Sequence, residues 1–267
     1  MIHSDTHINS TVGLCYPGYE LDDGNAVQLS KFQRFLWTSW NETLDKIDKI
    51  RQGELITAFN GDLCEGDIHK RSGQIITRNK ADIVGMTTKV IEPVCQSSDK
   101  VYFGKGTPAH SGGNAELETL VAKNFDNTVK DKDTGSSTWW HLPLQLEKVR
   151  FDIMHHPRSN GGGRPMNSQG AVDRLAADTL FMYANNGDTP PDFVIRSHIH
   201  HHLDSHDAFR TRAIITPAWS LLTEYGYRIG LSMQADFGCI VIIVDGDQAQ
   251  VIPLLHKMKG KKWQTIM

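Results

Sequence analysis

Four histidines fall within one short stretch of the chain, VIRSHIHHHLD, at residues 194–204. They are His198, His200, His201 and His202, and they follow directly after an apolar run that reads as a β-strand. Neutral imidazole is the commonest protein ligand for transition metals. Because the run lies inside the chain and at a strand end, it indicates a metal site rather than a solvated tail.

Side chains that can bind metals also follow each of four other segments that read as strands. In chain order they are Asp5 with His7, then Asp62, then His110, and then His155 with His156. In α/β sheets, ligands bind beyond the carboxyl ends of the strands. We therefore expect side chains that are far apart in sequence to converge on one site.

The donor atoms of this set are carboxylate oxygens and imidazole nitrogens, without a thiolate. This mixture favours Mn²⁺, with Fe, Zn²⁺ or Ni²⁺ as alternatives, over a structural cysteine–zinc site. The set holds more ligands than one ion needs. Two divalent ions about 3.5–4 Å apart, sharing a bridging carboxylate, would use them all.

Apolar runs typical of strands alternate with helical patterns first, and strands dominate at the end, which indicates an α/β fold with mixed sheets. One helix is predicted from Ser30, as its cap, to Arg51. Further helices are predicted over 79–95, 114–125 and 168–184, and a hairpin around Asp245-Gly246-Asp247. No repeat or linker divides the chain, so one domain over residues 1–267 is expected.

The composition is that of an ordinary soluble protein, with 267 residues, 39% hydrophobic residues and a net charge of −3. This charge gives no global attraction to nucleic acid or an anionic membrane. The four cysteines form no C-x-x-C pair, which predicts reduced, buried thiols. Without a signal-peptide pattern or a long apolar window, a cytoplasmic protein is expected.

The order of these motifs resembles that of the calcineurin-like metallophosphoesterases. The matching elements are Asp5-Thr-His7, Gly61-Asp62, Gly106-Thr-Pro-Ala-His110, His155-His-Pro157 and Ser197-His198-Ile-His200. Any one of them is a weak signal, but five in order at strand ends are specific. The stretches GDLCEGD, GTPAH and TPAWSLLTEYGYR are also similar to a subgroup common in phage and prophage genomes, which would place the protein in the host-cell cytoplasm.

The resemblance implies a four-layer α/β/β/α sandwich of mixed sheets flanked by helices, with two metals at the strand ends. The implied ligands are Asp5, His7 and His200 at the first metal, Asp62 between the two, and His155 and His198 at the second. A hydroxide that bridges the metals would attack phosphorus in line. His110 would stabilise the transition state or protonate the leaving oxygen.

The third motif departs from the family pattern, which is Gly-Asn-His with the Asn as a ligand. Here Thr107 stands where the Asn should be, and its neutral hydroxyl is a poorer ligand. His110 is displaced by two residues. Either the loop re-forms so that His110 ligates or catalyses, or Asn114 substitutes.

Several neighbouring residues are weaker candidates for the site. His156 is expected to lie behind the ligands, and strand alternation would point one of His201 and His202 inward. His69 could line the site, and Arg158 could meet a substrate phosphate. The isolated histidines His3, His141 and His256 are expected to be structural.

The favoured function is a dinuclear-metal phosphoesterase acting on a phosphate ester. The basic tail HKMKGKKW and the phage-like motifs slightly favour a phosphodiester, nucleotide or nucleic acid as the substrate. The net charge of −3 instead favours a phosphomonoesterase. One alternative is a zinc hydrolase with the H-x-H-x-D-H pattern, but Asp204 comes two residues too late for it. The other is a non-catalytic binding module, for which the altered third motif is the only support.

Overall fold

Two five-stranded mixed β-sheets form the centre of the fold in the computed structural model. The structure describes residues 1–66, 68, 73–157, 168–228 and 235–258. Two of the candidates, His69 and Arg158, lie outside the described residues, as does most of the basic tail. No helix among the described residues is long and apolar enough to cross a membrane.

The first sheet has the strand order β10-β9-β1-β2-β3. Its strands are β1 (Ile2–His3), β2 (Ile56–Asn60), β3 (Lys100–Gly104), β9 (Phe237–Asp245) and β10 (Gln248–His256). The strands β1, β2 and β3 are parallel, with Ile2 opposite Ala58 and Ala58 opposite Tyr102. The loops that follow these three strands therefore leave the same edge of the sheet.

The second sheet has the strand order β4-β5-β6-β8-β7. Its strands are β4 (Leu142–Leu146), β5 (Val149–Ile153), β6 (Phe193–Arg196), β7 (Leu203–Asp204) and β8 (Arg212–Ile215). The three central strands are parallel, and β4 and β7 pair antiparallel at the edges. As in the first sheet, the parallel strands send their following loops to one edge.

Helices cover the outer faces of both sheets. They are α1 (Lys31–Ile50), α2 (Lys80–Ser97), α3 (Pro108–Ser111), α4 (Glu116–Ala122), α5 (Ser168–Asn186) and α6 (Glu224–Arg228). Trp40 of α1 and Met86 of α2 pack with Phe59 and Phe103 on the first sheet. On the second sheet, Val172 of α5 packs in a separate cluster of buried residues.

A third apolar core lies between the sheets. Ile2 and Ile240 of the first sheet pack there with Phe151, Ile195 and Ile214 of the second. Burying the inner faces of two sheets against each other, and each outer face under helices, removes most apolar side chains from water. The fold is thus the expected four-layer α/β/β/α sandwich.

Local sequence signals place several elements correctly. Ser30 caps α1 and forms a capping box with Gln33, and the hairpin turns at Gly246, where φ is +62°. The edge strands β4 and β7 were not predicted. The first contains Pro143 and alternates exposed with buried positions, and the second has two residues, so neither shows an apolar run.

Candidate metal centre

The loops after β1, β2, β3, β5 and β6 meet at one end of the sandwich. Hydrogen bonds continue past the strand ends: the amide of Asp5 donates to the carbonyl of Gly61 at 3.1 Å, and that of His7 to the carbonyl of Asp62 at 3.0 Å. On the other sheet, the amide of Ser197 donates to the carbonyl of His155 at 2.8 Å. The convergence expected from strand-end placement is therefore present.

A buried hydrogen-bond network ties the two sheets together beneath this site. The Asn60 side-chain amide donates to the Met154 carbonyl at 2.9 Å and to the Ser197 hydroxyl at 2.7 Å. The Ser197 hydroxyl pairs with that of Thr216 at 2.8 Å, which pairs with that of Ser4 at 2.7 Å. Fully satisfied buried networks rigidify a structure. This one fixes the distance between the strand ends of the two sheets.

Asp5, His7 and His200 form the first group of donors, with one donor atom from each lying within 4.8 Å of the others. The Nε2 atoms of His7 and His200 are 3.2 Å apart, and His200 Nε2 is 3.3 Å from Asp5 Oδ1. Asp5 Oδ2 accepts a hydrogen bond from the amide of His198. Its Oδ1 is buried and has no hydrogen-bond partner.

His155, His156 and His198 form the second group, beside Asp62. His155 Nε2 lies 3.0 Å from Asp62 Oδ2, whereas its Nδ1 donates to the carbonyl of Asn60 at 2.7 Å. Asp5, Asp62 and His155 also form a group within 4.8 Å, which joins the two sets. The structure thus brings together all six sequence-predicted ligands: Asp5, His7, Asp62, His155, His198 and His200.

The donor atoms are spaced as ligands of a divalent cation would be. Ligands about 2.1 Å from an ion lie about 3.0–3.4 Å from their neighbours in octahedral or tetrahedral geometry. The contacts between His155 and Asp62, His7 and His200, and His200 and Asp5 are 3.0, 3.2 and 3.3 Å. Because an orphaned carboxylate oxygen costs free energy when buried, Asp5 Oδ1 also fits a metal ligand.

The electrostatics of the centre favour a bound cation. Burial raises the pKa of Asp5 and Asp62, but the neighbouring histidines outweigh it, so both pKa values lie below their usual range. Burial lowers the pKa of His155, but the charges of Asp62 and Asp5 raise it to about 10. A positive charge between these groups, from a proton or a metal ion, is therefore stabilised.

Most of the donor residues have strained backbones. The positive φ angles are 50° at Asp5, 42° at His7, 50° at Asp62, 77° at His198 and 59° at His200. Left-handed backbone at residues other than glycine costs of order 1–3 kcal/mol each and clusters at functional sites.

Because the backbone is left-handed at His198 and His200, strand alternation does not apply after β6. His201 instead lies 3.7 Å from Asp236, and His202 donates to the carbonyl of Ile215.

Two glycines allow the loops to approach closely. A Cβ on Gly61, where φ is +82°, would lie 2.5 Å from Nδ1 of His155. A Cβ on Gly106 would lie 2.3 Å from Oδ1 of Asp62. Both contacts are shorter than any side chain tolerates, so glycine is required beside each of these donors.

The loop after β3 re-forms around the altered motif. Thr107 occupies the N-cap position of the short helix α3 without a side-chain capping hydrogen bond, and the single turn of α3 carries His110 back towards the donors. His110 Nδ1 donates to Glu65 Oε2 at 2.7 Å, and its Nε2 is 4.0 Å from Asp62 Oδ2. Asn114 is exposed in the following turn, without a described hydrogen bond to the donors, so of the two alternatives the structure favours re-formation.

Thr107 lies beside the donors, and His156 lies closer to them than expected. The Thr107 hydroxyl is 3.0 Å from Asp62 Oδ2 and 3.2 Å from His156 Nε2. The expectation that His156 lies behind the ligands is therefore wrong in position. The reason is that β5 ends at Ile153, so the chain beyond it is not bound to strand alternation, and the rings of His155 and His156 stand edge to face.

Glu65 and Glu118 support the centre. Glu65 contacts His110 and His7, whose hydrogen bonds overcome burial and lower its pKa to about 2. Glu118 is fully buried and accepts hydrogen bonds from the amides of Leu63 and Gly106 and from the hydroxyl of Ser111. These hydrogen bonds therefore anchor the loops that follow β2 and β3 to α4. The sequence does not predict this role of Glu118, because a single acidic residue in a short amphipathic helix gives no signal.

The remaining candidates lie outside the donor groups. Asp204 forms a bidentate ion pair with Arg212 at 2.9 and 2.8 Å, so it is not the third ligand of an H-x-H-x-D-H site. His3 is fully buried and accepts a hydrogen bond from the indole of Trp219. His141 pairs with Asp152, and His256 with Thr43.

Comparisons with known proteins give distant likenesses. No protein-family model and no curated protein matches the chain. Wild-type Vps29 of Entamoeba histolytica, complexed with Zn²⁺, is similar at 10% identity over 95% of this chain and 97% of that one, with a TM-score of 0.41. A hypothetical protein of Pyrococcus horikoshii is similar at 8% identity over 94% and 86%, with a TM-score of 0.41. Likenesses at this level show neither a family nor an activity.

Proposed function

We propose that this chain is a dinuclear-metal-dependent phosphoesterase of the calcineurin-like metallophosphoesterase family. The observation that carries the proposal is the pair of donor groups joined through Asp5, Asp62 and His155. Their atoms face one another at ligand–ligand distances, and the buried Asp5 Oδ1 lies 3.3 Å from His200 Nε2. Two adjacent cations with a shared carboxylate are the arrangement that uses every donor.

The ligand roles follow from which atoms lie together. Asp5, His7 and His200 would hold the first ion, Asp62 would lie between the two, and His155 and His198 would hold the second. Bound divalent ions, with Mn²⁺ favoured, would lower the pKa of a water molecule and neutralise charge on a phosphoryl group. The carboxylates of Asp5 and Asp62 are ionised at neutral pH, as ligation requires.

His110 is placed to act as the general acid. Nδ1 of His110 donates a hydrogen bond to the carboxylate of Glu65, which fixes the orientation of the ring. Nε2 of the same ring then faces the donor residues. Burial lowers the pKa of His110, but the hydrogen bond to Glu65 and the charges of Asp62, Glu65 and Asp5 raise it to about 9. The imidazolium would give its Nε2 proton to the leaving oxygen as the phosphorus–oxygen bond breaks. An intact His110–Glu65 pair also favours an enzyme over a non-catalytic module.

The substrate class is proposed as a phosphodiester, with nucleotides or nucleic acid as candidates and a phosphomonoester as the alternative. The basic tail and the phage-like motifs support the diester. Hydrolysis of bis(p-nitrophenyl) phosphate and p-nitrophenyl phosphate by the Mn²⁺-loaded protein tests the choice. A higher kcat/KM for the diester is expected. Cleavage of the monoester alone would point to a phosphatase, and cleavage of neither would overturn the proposal.

A further inference from the structure

The imidazoles of His155, His156 and His198 enclose a small space beside Asp62. Their ring centroids are 4.7 Å apart for His155 and His156, 4.7 Å for His156 and His198, and 5.3 Å for His155 and His198. One nitrogen from each ring lies within 4.8 Å of the others. Three imidazoles therefore present nitrogen atoms to one point.

The hydroxyl of Thr107 lies at the edge of the same space. Its Oγ1 is 3.0 Å from Asp62 Oδ2, 3.2 Å from His156 Nε2, 3.3 Å from His198 Nδ1 and 3.5 Å from His155 Nε2. Neighbouring ligands of one divalent ion have separations of about 3.0–3.4 Å. A hydroxyl donates one hydrogen bond and accepts two, so four polar neighbours at these distances exceed its hydrogen-bonding capacity.

We infer that His156 is a ligand of the second metal position and replaces the amide that the third motif lacks, with the Thr107 hydroxyl as a weaker ligand beside it. This inference rests on the proposed function. It gives the second position three imidazoles and one carboxylate, whereas the first has two imidazoles with the carboxylates of Asp5 and Asp62. A nitrogen-rich position favours Fe, Co²⁺, Ni²⁺ or Zn²⁺ over Mg²⁺ and Ca²⁺.

The test compares metal binding by the wild type, His156→Ala and His156→Gln. Metal-stripped protein is titrated with Co²⁺, and bound metal is followed by elemental analysis and by the visible absorption of the ion. The wild type is expected to bind two equivalents. Both variants should keep one, and the dissociation constant of the other should rise at least tenfold. His156 is exposed, so the variants should fold, which circular dichroism checks.

His206→Ala is the matched control, because His206 is an exposed histidine outside the donor groups. It should bind two equivalents with wild-type affinity. Two equivalents bound with wild-type affinity by both His156 variants would overturn the inference and leave the proposed function standing. Failure of the wild type to bind a second equivalent would overturn both.

Discussion

His155 Nε2 lies 3.0 Å from Asp62 Oδ2, and the other nitrogen of the same ring donates to the carbonyl of Asn60 at 2.7 Å. The Asn60 carbonyl only accepts, so Nδ1 carries a proton. Burial lowers the pKa of His155, but the carboxylates of Asp62 and Asp5 raise it to about 10, so Nε2 of the metal-free ring also carries a proton and donates it to Asp62 Oδ2. A bound metal ion would take the place of that proton, so this contact marks a position where a cation is stabilised.

Gly61→Ala should weaken metal binding by displacing His155. The new Cβ would meet the ring at 2.5 Å, and the positive φ of +82° adds strain of about 1 kcal/mol. We expect at least a tenfold loss of affinity for the second ion in a calorimetric titration. Gly73→Ala is the control, because a Cβ there meets no atom within 4 Å. Equal affinities in the two variants would contradict the role assigned to Gly61.

Glu118→Ala should lower the free energy of unfolding of the metal-stripped protein by roughly 3 kcal/mol. The change removes the acceptor from three buried donors, on Leu63, Gly106 and Ser111, and each unsatisfied group costs about 1–3 kcal/mol. Denaturant unfolding measures the loss. Glu116→Ala, on the solvent side of the same helix, should change it by less than about 0.5 kcal/mol. A similar small change for both would show that Glu118 does not fasten the loops.

His110→Ala should lower kcat by about 10²–10⁴ while the metal content stays at two equivalents. Proton donation matters most when the leaving oxygen is basic, so the loss should be larger for an alkyl ester than for a p-nitrophenyl ester. Glu65→Gln should show the same leaving-group trend with a smaller loss, because it keeps the ring in place but weakens its charge. An equal loss for both leaving groups would exclude His110 as the acid.

The strand ends were readable from the sequence because apolar runs and the polar residues that follow them are local signals. Asp5, Asp62 and His198 each stand just past such a run, and parallel strands bring their loops to one edge. The convergence of the donors and an α/β fold with mixed sheets follow from this pattern, whereas the four-layer arrangement was implied by the family resemblance. The ligand roles themselves stay predictions until metal binding is measured.

Features that depend on tertiary contacts gave no such signal. The network through Asn60, Ser197 and Thr216 consists of common polar residues whose partners are distant in sequence. In the sequence, Glu118 cannot be distinguished from other acidic residues of helices, because its role depends on the packing of α4 beside the loop after β3. His156 could be placed only once the end of β5 and the turn of α3 were known, because those two features bring it to Thr107.

The four thiols should not react in the native protein. Cys15, Cys64, Cys95 and Cys239 are all buried and free, and burial raises the thiol pKa to about 12 at Cys15 and Cys239. The thiolate is the reactive form, so a thiol reagent at pH 8 should label fewer than one cysteine per chain, and four after unfolding. Rapid labelling of native protein would show that these residues are accessible.

Metal-dependent hydrolysis tests the central claim most directly. Bis(p-nitrophenyl) phosphate would be incubated with the metal-stripped wild type, with the same protein reloaded with Mn²⁺, and with Mn²⁺-treated Asp62→Asn. Hydrolysis by the reloaded wild type alone, with at least a hundredfold loss in the other two, is the predicted result. Equal rates in all three samples, or no hydrolysis by a wild type that holds two ions, would contradict a dinuclear phosphodiesterase.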